Sequence, residues 1–547
     1  MRHFPVRSAA VRLVLLVCAL ATLLLIAAGQ ASAAVLKVCP SGCAFSQIAP
    51  AIAAANPGDT IQVAAGTYDG GFTIDKSVNL VGAGATSTII SGGGPVITIG
   101  TFNATSEPTV SISGVKITGG VTHSSFAEAF VGPNVIAVGG GISVPPGANF
   151  SQGATVSIKN SVITDNRAQP LAAIDSGLSC PPDVTITCIN GDLPFAQAAG
   201  GGINTFGATT LINTTVSNNR VGGPVASDAD GGGVESLEGG LTMKNSTVTG
   251  NQAIASAPNG RFAETGGVFV GSGTLTMDGS LVSGNSASIS TAMPNDIQDG
   301  IAANAAGVHV AGDDNCATPD ACAIGKIHDS TITNNTVTAS NGIGDAVAFC
   351  GGVCDDGRLT LADSLVSHNH ITATVPAGST ACACVDSAGV GSGGIESITH
   401  SHITDNTITV SAPSGTALAA AAGGSGGNQL SVTISDSVFS GNAITATTTT
   451  GTSSVQGAGF GNFGAMLTIR DTTFSGNSAT ASGPGGTARG GGIWNGTDGT
   501  LTLLGGSITH NALTASTAQG GGLFTANPAT IKDTVIANNV PDQCFGC

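Results

Sequence analysis

One short pattern, an apolar residue followed by two small or polar residues and then Asn, recurs eleven times along this 547-residue chain. Most steps between successive Asn residues lie between 32 and 37 residues, and two longer steps of 50 and 53 residues carry insertions. Turn chemistry held at one period over so long a stretch is typical of stacked repeats. The recurring residues are Asn166, Asn219, Asn251, Asn285, Asn335, Asn369, Asn406, Asn442, Asn477, Asn511 and Asn539.

A second pattern, a glycine cluster followed by an apolar residue, precedes the Asn pattern in most units. Between the two patterns lies a short alternating stretch such as Leu241-Thr242-Met243, which places apolar and polar side chains on opposite faces of a strand. Each unit is therefore predicted to hold three short strands separated by Gly or Asn turns. The clearest clusters are Gly139–Gly141, Gly200–Gly202, Gly231–Gly233, Gly490–Gly492 and Gly520–Gly522.

These repeats predict an all-β fold, a right-handed parallel β-helix. We expect a solenoid of about fourteen coils with a short N-terminal capping helix. One unit has too little apolar surface to fold alone, whereas stacked units bury their inward residues in a shared core. An inward Asn amide has donors and an acceptor, so stacked copies are expected to form a structural ladder of hydrogen bonds. An array of β-sandwiches is the alternative, but it would not keep one turn chemistry at one period over this length.

The first 33 residues have the features of a secretory signal, with an uncleaved membrane anchor as the alternative. Arginines precede a Leu-rich apolar run, Val11–Ala28, and the small residues Ala31-Ser32-Ala33 form a cleavage pattern. The sequence therefore predicts a secreted protein with an extracellular or cell-surface location.

Three further segments follow the predicted signal peptide at 1–33. We expect residues 34–100 to form an N-terminal cap and the first coils, residues 101–540 the β-helix repeat domain, and residues 541–547 a Cys-stapled tail. Within the cap a helix is predicted over residues 44–56, with Ser46 as its cap and Pro50 in its first turn. Such a helix would cover the open end of the stack.

Charge and hydropathy exclude several kinds of partner. Only 9% of residues are charged, and without the three arginines of the leader the net charge falls from −17 to −20. This balance predicts no nucleic-acid partner, and it would repel anionic membranes and acidic polymers unless calcium bridged the charges. No apolar stretch after the signal is long enough to span a bilayer. The expected partner is an unidentified surface ligand, either carbohydrate or protein.

Cysteine usage favours disulfides. Cys18 falls in the signal, and the remaining twelve form close pairs, an even number in an exported chain. Pairing within each close pair would staple small loops, while Cys350 and Cys384 could instead pair across adjacent coils. A zinc site built from the four cysteines between 350 and 384 is the third alternative. The candidates are Cys39 and Cys43, Cys180 and Cys188, Cys316 and Cys322, Cys350 and Cys354, Cys382 and Cys384, and Cys544 and Cys547.

Two segments carry a resemblance to known families. Asn56-Pro57-Gly58-Asp59-Thr60-Ile61, followed by Ala65-Gly66-Thr67-Tyr68, resembles the opening segment of the pectin lyase-like superfamily of right-handed parallel β-helices. The Gly-Gly-Gly-Ile and Phe-Ser-Gly-Asn units resemble the repeats of chlamydial polymorphic outer-membrane proteins, although Val or Ile usually replaces the Phe. The resemblance covers residues 36–540 and implies the fold, but no single activity, because this superfamily includes lyases, hydrolases, adhesins and inert scaffolds.

Polysaccharide cleavage on such a fold requires converging carboxylates, or bound calcium with an Arg or Lys base. The polygalacturonase series that the resemblance implies (NTD, DD, HGH, RIK) is reduced here to two DD pairs, Asp313-Asp314 and Asp355-Asp356. The first pair lies with Asp320 in a loop that is either a calcium or sugar site or a solvated acidic loop. The second pair forms with Arg358 either a lyase-like set or, as we favour, a surface turn with an ion pair.

Neither the histidines nor the aromatic residues improve the case for a catalytic site. Several Phe residues occupy inward repeat positions, which leaves little beyond Trp494 and Tyr68 to line a sugar-binding groove. We therefore predict no catalytic, cofactor-binding or metal-binding residues, with calcium at an acidic loop as the open alternative. The histidines, expected at exposed turns with zinc or acid–base work as the alternative, are His368, His370, His400, His402 and His510.

The spacing of the repeats suggests where a ligand would bind. The distance from the glycine cluster to the Asn is mostly 17 to 19 residues, whereas the distance from the Asn to the next cluster varies far more. Variable insertions on one side of a solenoid form loops on one face, often the binding face. The favoured function is a non-catalytic, secreted or surface-associated β-helix that acts in adhesion, recognition or envelope structure. The alternative is a polysaccharide lyase or hydrolase, or a carbohydrate-binding module, on the same fold.

Overall fold

The computed structural model describes residues 33–123, 136–171, 174–179, 192–257, 260–292, 302–311, 323–391, 395–427 and 431–547. Five parallel sheets of 15, 14, 11, 11 and 14 strands account for almost all of the described secondary structure. The exceptions are an α-helix at Ile48–Ala54, a 3-10 turn at Ala148–Phe150, and an antiparallel pair formed by Ile174–Ser179 and Asp192–Phe195. The predicted parallel β-helix is therefore confirmed as the fold.

We number the sheets I to V in the order in which the chain passes through them in each full coil. Sheet I contains Val35–Val38, Thr60–Val63, Asn79–Gly82, Thr109–Ser113, Thr155–Lys159, Thr209–Ile212, Leu241–Lys244, Thr274–Asp278, Ile324–His328, Arg358–Ala362, Ile395–Thr399, Ser431–Ser435, Met466–Arg470, Thr500–Leu504 and Thr530–Lys532. Sheet II contains Gly66–Asp69, Thr88–Ser91, Lys116–Thr118, Val162–Thr164, Thr215–Ser217, Thr247–Thr249, Leu281–Ser283, Thr331–Thr333, Leu365–Ser367, His402–Thr404, Val438–Ser440, Thr473–Ser475, Ser507–Thr509 and Val535–Ala537.

The next two sheets are confined to the middle of the chain. Sheet III contains Val121–Thr122, Arg167–Ala168, Arg220–Gly223, Gln252–Ala255, Ser286–Thr291, Thr336–Asn341, His370–Thr374, Thr407–Ser411, Ala443–Thr447, Ser478–Ser482 and Ala512–Thr514. Sheet IV contains Ile136–Val138, Gln197–Ala199, Asp228–Asp230, Phe262–Glu264, Ala302–Asn304, Ala346–Phe349, Cys382–Asp386, Thr416–Ala420, Thr452–Gln456, Thr487–Arg489 and Thr517–Gln519.

Sheet V closes each coil and leads back to sheet I. It contains Phe72–Ile74, Ile97–Ile99, Ile142–Val144, Ile203–Thr205, Val234–Ser236, Val268–Val270, Val308–Val310, Val353–Asp355, Val390–Gly391, Gly424–Gly426, Phe460–Asn462, Ile493–Asn495, Leu523–Thr525 and Cys544–Phe545.

The prediction of three strands per unit is wrong for most of the chain. The first coils do have three strands, as in Thr60–Val63, Gly66–Asp69 and Phe72–Ile74, which belong to sheets I, II and V. From Val121 onwards the chain adds sheets III and IV between the Asn corner and the glycine cluster, so that a full coil has five strands. The segment of variable length that we interpreted as loops therefore contains two further sheets as well as the connection between them.

Each full coil bends at three residues with left-handed backbone conformation. In one coil these are Asn245 between sheets I and II (φ 47°), Gly250 between sheets II and III (φ 66°) and Thr265 between sheets IV and V (φ 51°). Asn, Asp and Gly dominate such positions because they tolerate positive φ better than other residues. Because every full coil has three left-handed corners, Gly, Asn and Asp recur at short intervals along the sequence.

The interior is divided into two hydrophobic cores. Ile, Val, Leu and Phe side chains from sheets I, II and V form a wide core that runs the length of the rod. Sheets III and IV enclose a second core made mostly of Ala, such as Ala253 and Ala263. Because alanine side chains are short, sheets III and IV pack closely face to face.

The glycine clusters lie where the two cores meet. The third glycine of each cluster approaches the Asn corner across the coil, and a Cβ built on Gly352 would lie 2.5 Å from the Gly389 carbonyl oxygen and 2.9 Å from Asn369 Nδ2. The left-handed position of the cluster accepts Thr265 or Ala305, whereas its third residue is glycine in every full coil. The third glycine is therefore required by close backbone approach rather than by φ.

A short helix packs against the first coils of the stack, but it is shorter than predicted. It spans Ile48–Ala54 instead of residues 44–56, and Gln47 rather than Ser46 occupies the N-cap position, without a capping side-chain hydrogen bond. Ile48, Ala51 and Ile52 are buried on one face of the helix, as their spacing predicts.

Right-handed winding, the number of coils and the boundaries at residues 33, 100 and 540 stay predictions, and residues 1–32 lie outside the described ranges.

Candidate functional site: the corner groove

The eleven Asn residues lie in a file at the corner between sheets II and III, and all are at least 96% buried. In the middle of the file, Asn335 donates its Nδ2 hydrogens to Asn369 Oδ1 at 2.9 Å and to the Val282 carbonyl at 3.2 Å. Its Oδ1 accepts from the backbone N and the Nδ2 of Asn285, each at 3.0 Å. Every polar atom of the amide is thus satisfied, which a buried amide requires.

A second file of hydroxyl groups was missed by the sequence analysis. Ser246, Ser280, Ser330 and Ser364 follow the corner between sheets I and II, and the backbone N of each donates to the hydroxyl of the next at 3.1–3.2 Å. Each hydroxyl in turn donates to the carbonyl two residues before it, as Ser330 Oγ does to His328 at 2.7 Å. The signal was present in the sequence, since Ser or Thr stands five residues before nearly every ladder Asn.

The Asn file ends on a glutamine that also escaped notice. Gln543 Oε1 accepts from the backbone N of Asn539 at 3.0 Å and from Asn539 Nδ2 at 3.1 Å. Gln543 Nε2 donates back to the Asn539 carbonyl at 3.2 Å. The glutamine side chain therefore takes the place that a further asparagine would occupy.

Four of the six cysteine pairs are positioned for local disulfides. Their Cα atoms are 5.6 Å apart in Cys39–Cys43, 5.0 Å in Cys350–Cys354, 5.5 Å in Cys382–Cys384 and 6.1 Å in Cys544–Cys547. Local pairing rather than pairing across coils is thus what the structure shows between residues 350 and 384. The pairs Cys180/Cys188 and Cys316/Cys322 fall outside the described residues.

The acidic pairs singled out in the sequence separate into different environments. Asp313, Asp314 and Asp320 lie outside the described residues. Asp355 is fully buried at the end of a sheet V strand, so its assignment to a surface turn is wrong. Asp356 Oδ2 lies 3.1 Å from Nε2 of His309, a residue that the sequence analysis did not select.

Three of the five predicted histidines occupy left-handed corners. His368, His400 and His510 have φ values of 54°, 47° and 58°. His370 lies on sheet III, where its Nδ1 is 2.5 Å from Thr407 Oγ1 and its Nε2 is 2.8 Å from Thr372 Oγ1, and burial lowers its pKa. His402 begins a sheet II strand. The structure brings these side chains to no common point that could serve as a site.

A different set of side chains lines the outside of the corner between sheets IV and V. We call this surface the corner groove. One row is formed by the last residue of each sheet IV strand, and the other by the second residue of each sheet V strand. Because Val234 and Val268 point into the wide core, the sheet V residues next to them point outwards. Facing positions, five residues apart in the chain, are Asp230 and Glu235, Glu264 and Phe269, Asn304 and His309, Phe349 and Cys354, Asp386 and Gly391, Ala420 and Ser425, Gln456 and Gly461, Arg489 and Trp494, and Gln519 and Phe524.

The first segment of the corner groove is acidic. Glu235 is 3% exposed, and its Oε2 accepts from Asn204 Nδ2 at 2.7 Å. Burial raises the pKa of Glu235 to about 8, with a further contribution from the charge of Glu264. Burial and the neighbouring charges of Glu264, Glu235 and Asp228 also raise the pKa of Asp230 well above its usual value. Glu235 therefore keeps its proton to a higher pH than an exposed glutamate does.

His309 follows this acidic segment, and its imidazole pairs with Asp356. Burial alone would lower the pKa of His309, but the hydrogen bond to Asp356 and the charges of Glu264 and Asp356 outweigh it and raise the pKa. The ring also meets Phe269 edge-on, with ring centroids 5.2 Å apart. The His309 ring thus lies between the acidic segment and the part of the groove beyond it.

The groove opens into a pocket of about 390 Å³ in its middle. Phe349, Asp386, Phe463 and the Cys350–Cys354 disulfide are among its walls. The sheet V row is small here, since Gly391, Ser425 and Gly461 replace the larger residues on either side. The loss of side-chain volume in this row is what opens the pocket.

The last segment is aromatic, which corrects the expectation that few rings remain for a groove. Trp494 lies 4.8 Å from Phe463 between ring centroids, and Phe524 stacks on Phe545 at 5.3 Å. The Arg489 guanidinium lies 5.3 Å above the Phe524 ring. The sequence analysis named Trp494 but missed Phe463, Phe524 and Phe545, because a three-residue alternating stretch does not reveal which of its faces points outwards at a corner.

The comparisons with known proteins add no name to this geometry. No family model matches the chain, and no curated protein matches it either. In the part of the chain that the structure describes, no group of three or more His, Cys, Asp or Glu side chains is arranged to hold a metal ion. Among the same residues no helix has the length and apolar character needed to cross a membrane.

Proposed function

We propose that this chain is a secreted or surface-associated β-helix protein that recognises a carbohydrate along its corner groove without cleaving it. The observation that carries the proposal is the pocket, where the exposed rings of Phe349 and Phe463 stand beside hydrogen-bonding side chains such as Asp386 and Asn304. Sugars present C–H faces that pack on aromatic rings and hydroxyl groups that bond to carboxylates and amides.

The repeat architecture supports this proposal. The interior repeats the same residues from coil to coil, whereas the pairs that line the corner groove change from coil to coil. A row of changing side chains at a fixed coil spacing of about 4.8 Å is suited to an extended, repeating ligand. Exposed residues that the stacking does not require are where recognition evolves on a rigid scaffold.

Titration of the mature chain with a panel of neutral, acidic and amino-group-bearing oligosaccharides tests the proposal. Trp494 is the single tryptophan, so its fluorescence reports on the groove alone. We expect at least one neutral or amino-bearing oligosaccharide to change the emission, and Phe463→Ala to abolish the change. Phe150→Ala, which removes an exposed ring outside the groove, is the matched control. A panel without binding, or equal effects of the two variants, would contradict carbohydrate recognition at this site.

The acidic segment favours a second candidate function, hydrolysis of a polysaccharide. Burial raises the pKa of Glu235 to about 8, and Glu235 lies in the same segment as the carboxyl groups of Asp230 and Glu264, which offers the pair of carboxyl groups that glycosidic cleavage requires. The purified chain would then release reducing ends from one member of a polysaccharide panel. Glu235→Gln would abolish this release, while Asp436→Asn, at an exposed corner on another face, would leave it unchanged. Absence of release across the panel would leave recognition as the function.

A further inference from the structure

The two carboxylates of the pocket differ in their partners. Asp356 is paired with the His309 imidazole at 3.1 Å. Asp386 Oδ1 accepts the Ser387 hydroxyl at 3.0 Å, and in the described part of the chain no Lys, Arg or His carries an ion pair to it. Asp386 is therefore the carboxylate whose charge is left without a cation.

We propose that the pocket between Phe349 and Phe463 binds the protonated amino group of an amino sugar, with Asp386 as its counter-ion. This inference rests on the proposed carbohydrate recognition and specifies the class of sugar. An ammonium group would supply the cation that Asp386 lacks and would donate hydrogen bonds to it.

Burial also affects how readily Asp386 carries its charge. Burial raises the pKa of Asp386 to about 6, against the lowering effect of hydrogen bonds from Ser387. A partly buried carboxylate is costlier to ionise alone than an exposed one, and a paired cation offsets that cost. The Asp386 carboxylate is thus better satisfied by an ammonium group than by a neutral hydroxyl.

The aromatic walls of the pocket also favour a positively charged sugar. Phe349 is 39% exposed and Phe463 is 37% exposed, so both rings remain accessible to a ligand. The face of an aromatic ring attracts a cation, and it also packs against the C–H face of a sugar ring. The pocket volume of about 390 Å³ lies within the range of small-molecule sites. Rings and carboxylate together match a sugar that carries a positive charge.

Two oligomers of the same length separate this inference from general sugar binding. One is a glucosamine hexamer with free amino groups, and the other is the same hexamer with every amino group acetylated. Trp494 fluorescence serves as the readout, because Trp494 packs on Phe463 of the pocket wall. For the full mature chain we expect the free-amine hexamer to bind at least ten-fold more tightly than the acetylated one.

Variants then assign the preference to the pocket. Asp386→Asn should weaken binding of the free-amine hexamer at least ten-fold and change that of the acetylated hexamer less than two-fold. Asp436→Asn removes the same charge at an exposed corner and should change neither affinity. Phe349→Leu keeps an apolar wall without the ring face, and it should weaken free-amine binding even if Asp386→Asn fails to fold.

The possible failures are distinguishable. Equal affinities for the two hexamers, unaffected by Asp386→Asn, would overturn the amino-sugar inference and leave carbohydrate recognition standing. A trilysine peptide that bound more tightly than the free-amine hexamer would overturn the assignment to a sugar. Absence of binding by either hexamer and by the wider oligosaccharide panel would overturn both the inference and the proposed function.

Discussion

Two lines of side chains run along this rod with the same spacing, and they differ in almost every other respect. Inside, the Asn file keeps one residue type through eleven coils, from Asn166 to Asn539. Outside, the corner groove changes from carboxylates to a pocket and then to aromatic rings. The difference separates what stacking requires from what stacking leaves free, and the free positions are the ones available for a ligand.

Interrupting the Asn file should cause the largest loss of stability. Asn335→Ala removes an amide that makes four hydrogen bonds, and it leaves the buried backbone N and Nδ2 of Asn285 without the Asn335 oxygen that accepted from both. We expect a loss of about 4–5 kcal/mol in the free energy of unfolding, measured by chemical denaturation. Asn334→Gly, one residue earlier at an exposed corner with φ 56°, is the matched control and should cost little. Equal losses for both variants would show that the file has no special role.

The next largest loss of stability is expected where the third glycine of a cluster approaches the Asn file. In Gly352→Ala the added Cβ would lie 2.5 Å from the Gly389 carbonyl oxygen, so the backbone must shift. We expect this variant to lose about 3 kcal/mol of stability in the same denaturation measurement. At Gly342 the nearest atoms would be 3.7 Å away, and Gly342→Ala should be close to neutral. A neutral Gly352→Ala would mean that the two corners do not touch.

The acidic segment of the groove should make stability depend on pH. Because the pKa of Glu235 is about 8 in the folded chain and near 4.5 in the unfolded chain, the folded state holds a proton that the unfolded state releases. Its contribution to stability is complete below pH 4.5 and is lost as the pH rises towards 8. Between pH 6 and pH 8 the loss corresponds to about 2–3 kcal/mol.

Glu235→Gln isolates this contribution. Gln stays neutral, so the variant should lose less stability than the parent chain when denaturation curves at pH 6 and pH 8 are compared. An identical pH dependence of parent and variant would show that Glu235 is already ionised at pH 6.

The hydroxyl file should give the smallest effect. Ser330→Ala removes the acceptor for the Ser280 backbone N, at 3.2 Å, and the donor to the His328 carbonyl. We expect a loss of about 1–2 kcal/mol by chemical denaturation, well below that of Asn335→Ala, because fewer hydrogen bonds are broken. A loss as large as that of Asn335→Ala would show that the hydroxyl file contributes as much to stability as the Asn file.

The sequence was sufficient to predict the Asn file, but it predicted little of the corner groove. An inward Asn fixes turn chemistry, so its recurrence predicts the parallel β-helix directly. Sheets III and IV escaped prediction because their Ala, Ser and Thr strands are short and lie between connections of changing length. Asp355 was assigned to a surface turn, yet its position in a sheet V strand turns its side chain inwards. The side chains of the groove come together only once the corner between sheets IV and V is known.

Thermal unfolding of Asn335→Ala and Phe349→Leu, measured side by side by circular dichroism, tests the separation of fold from binding most directly. We expect the midpoint to fall by several degrees for the buried Asn and to stay near that of the parent chain for the exposed Phe. A midpoint that fell equally in both variants, or only in Phe349→Leu, would contradict it.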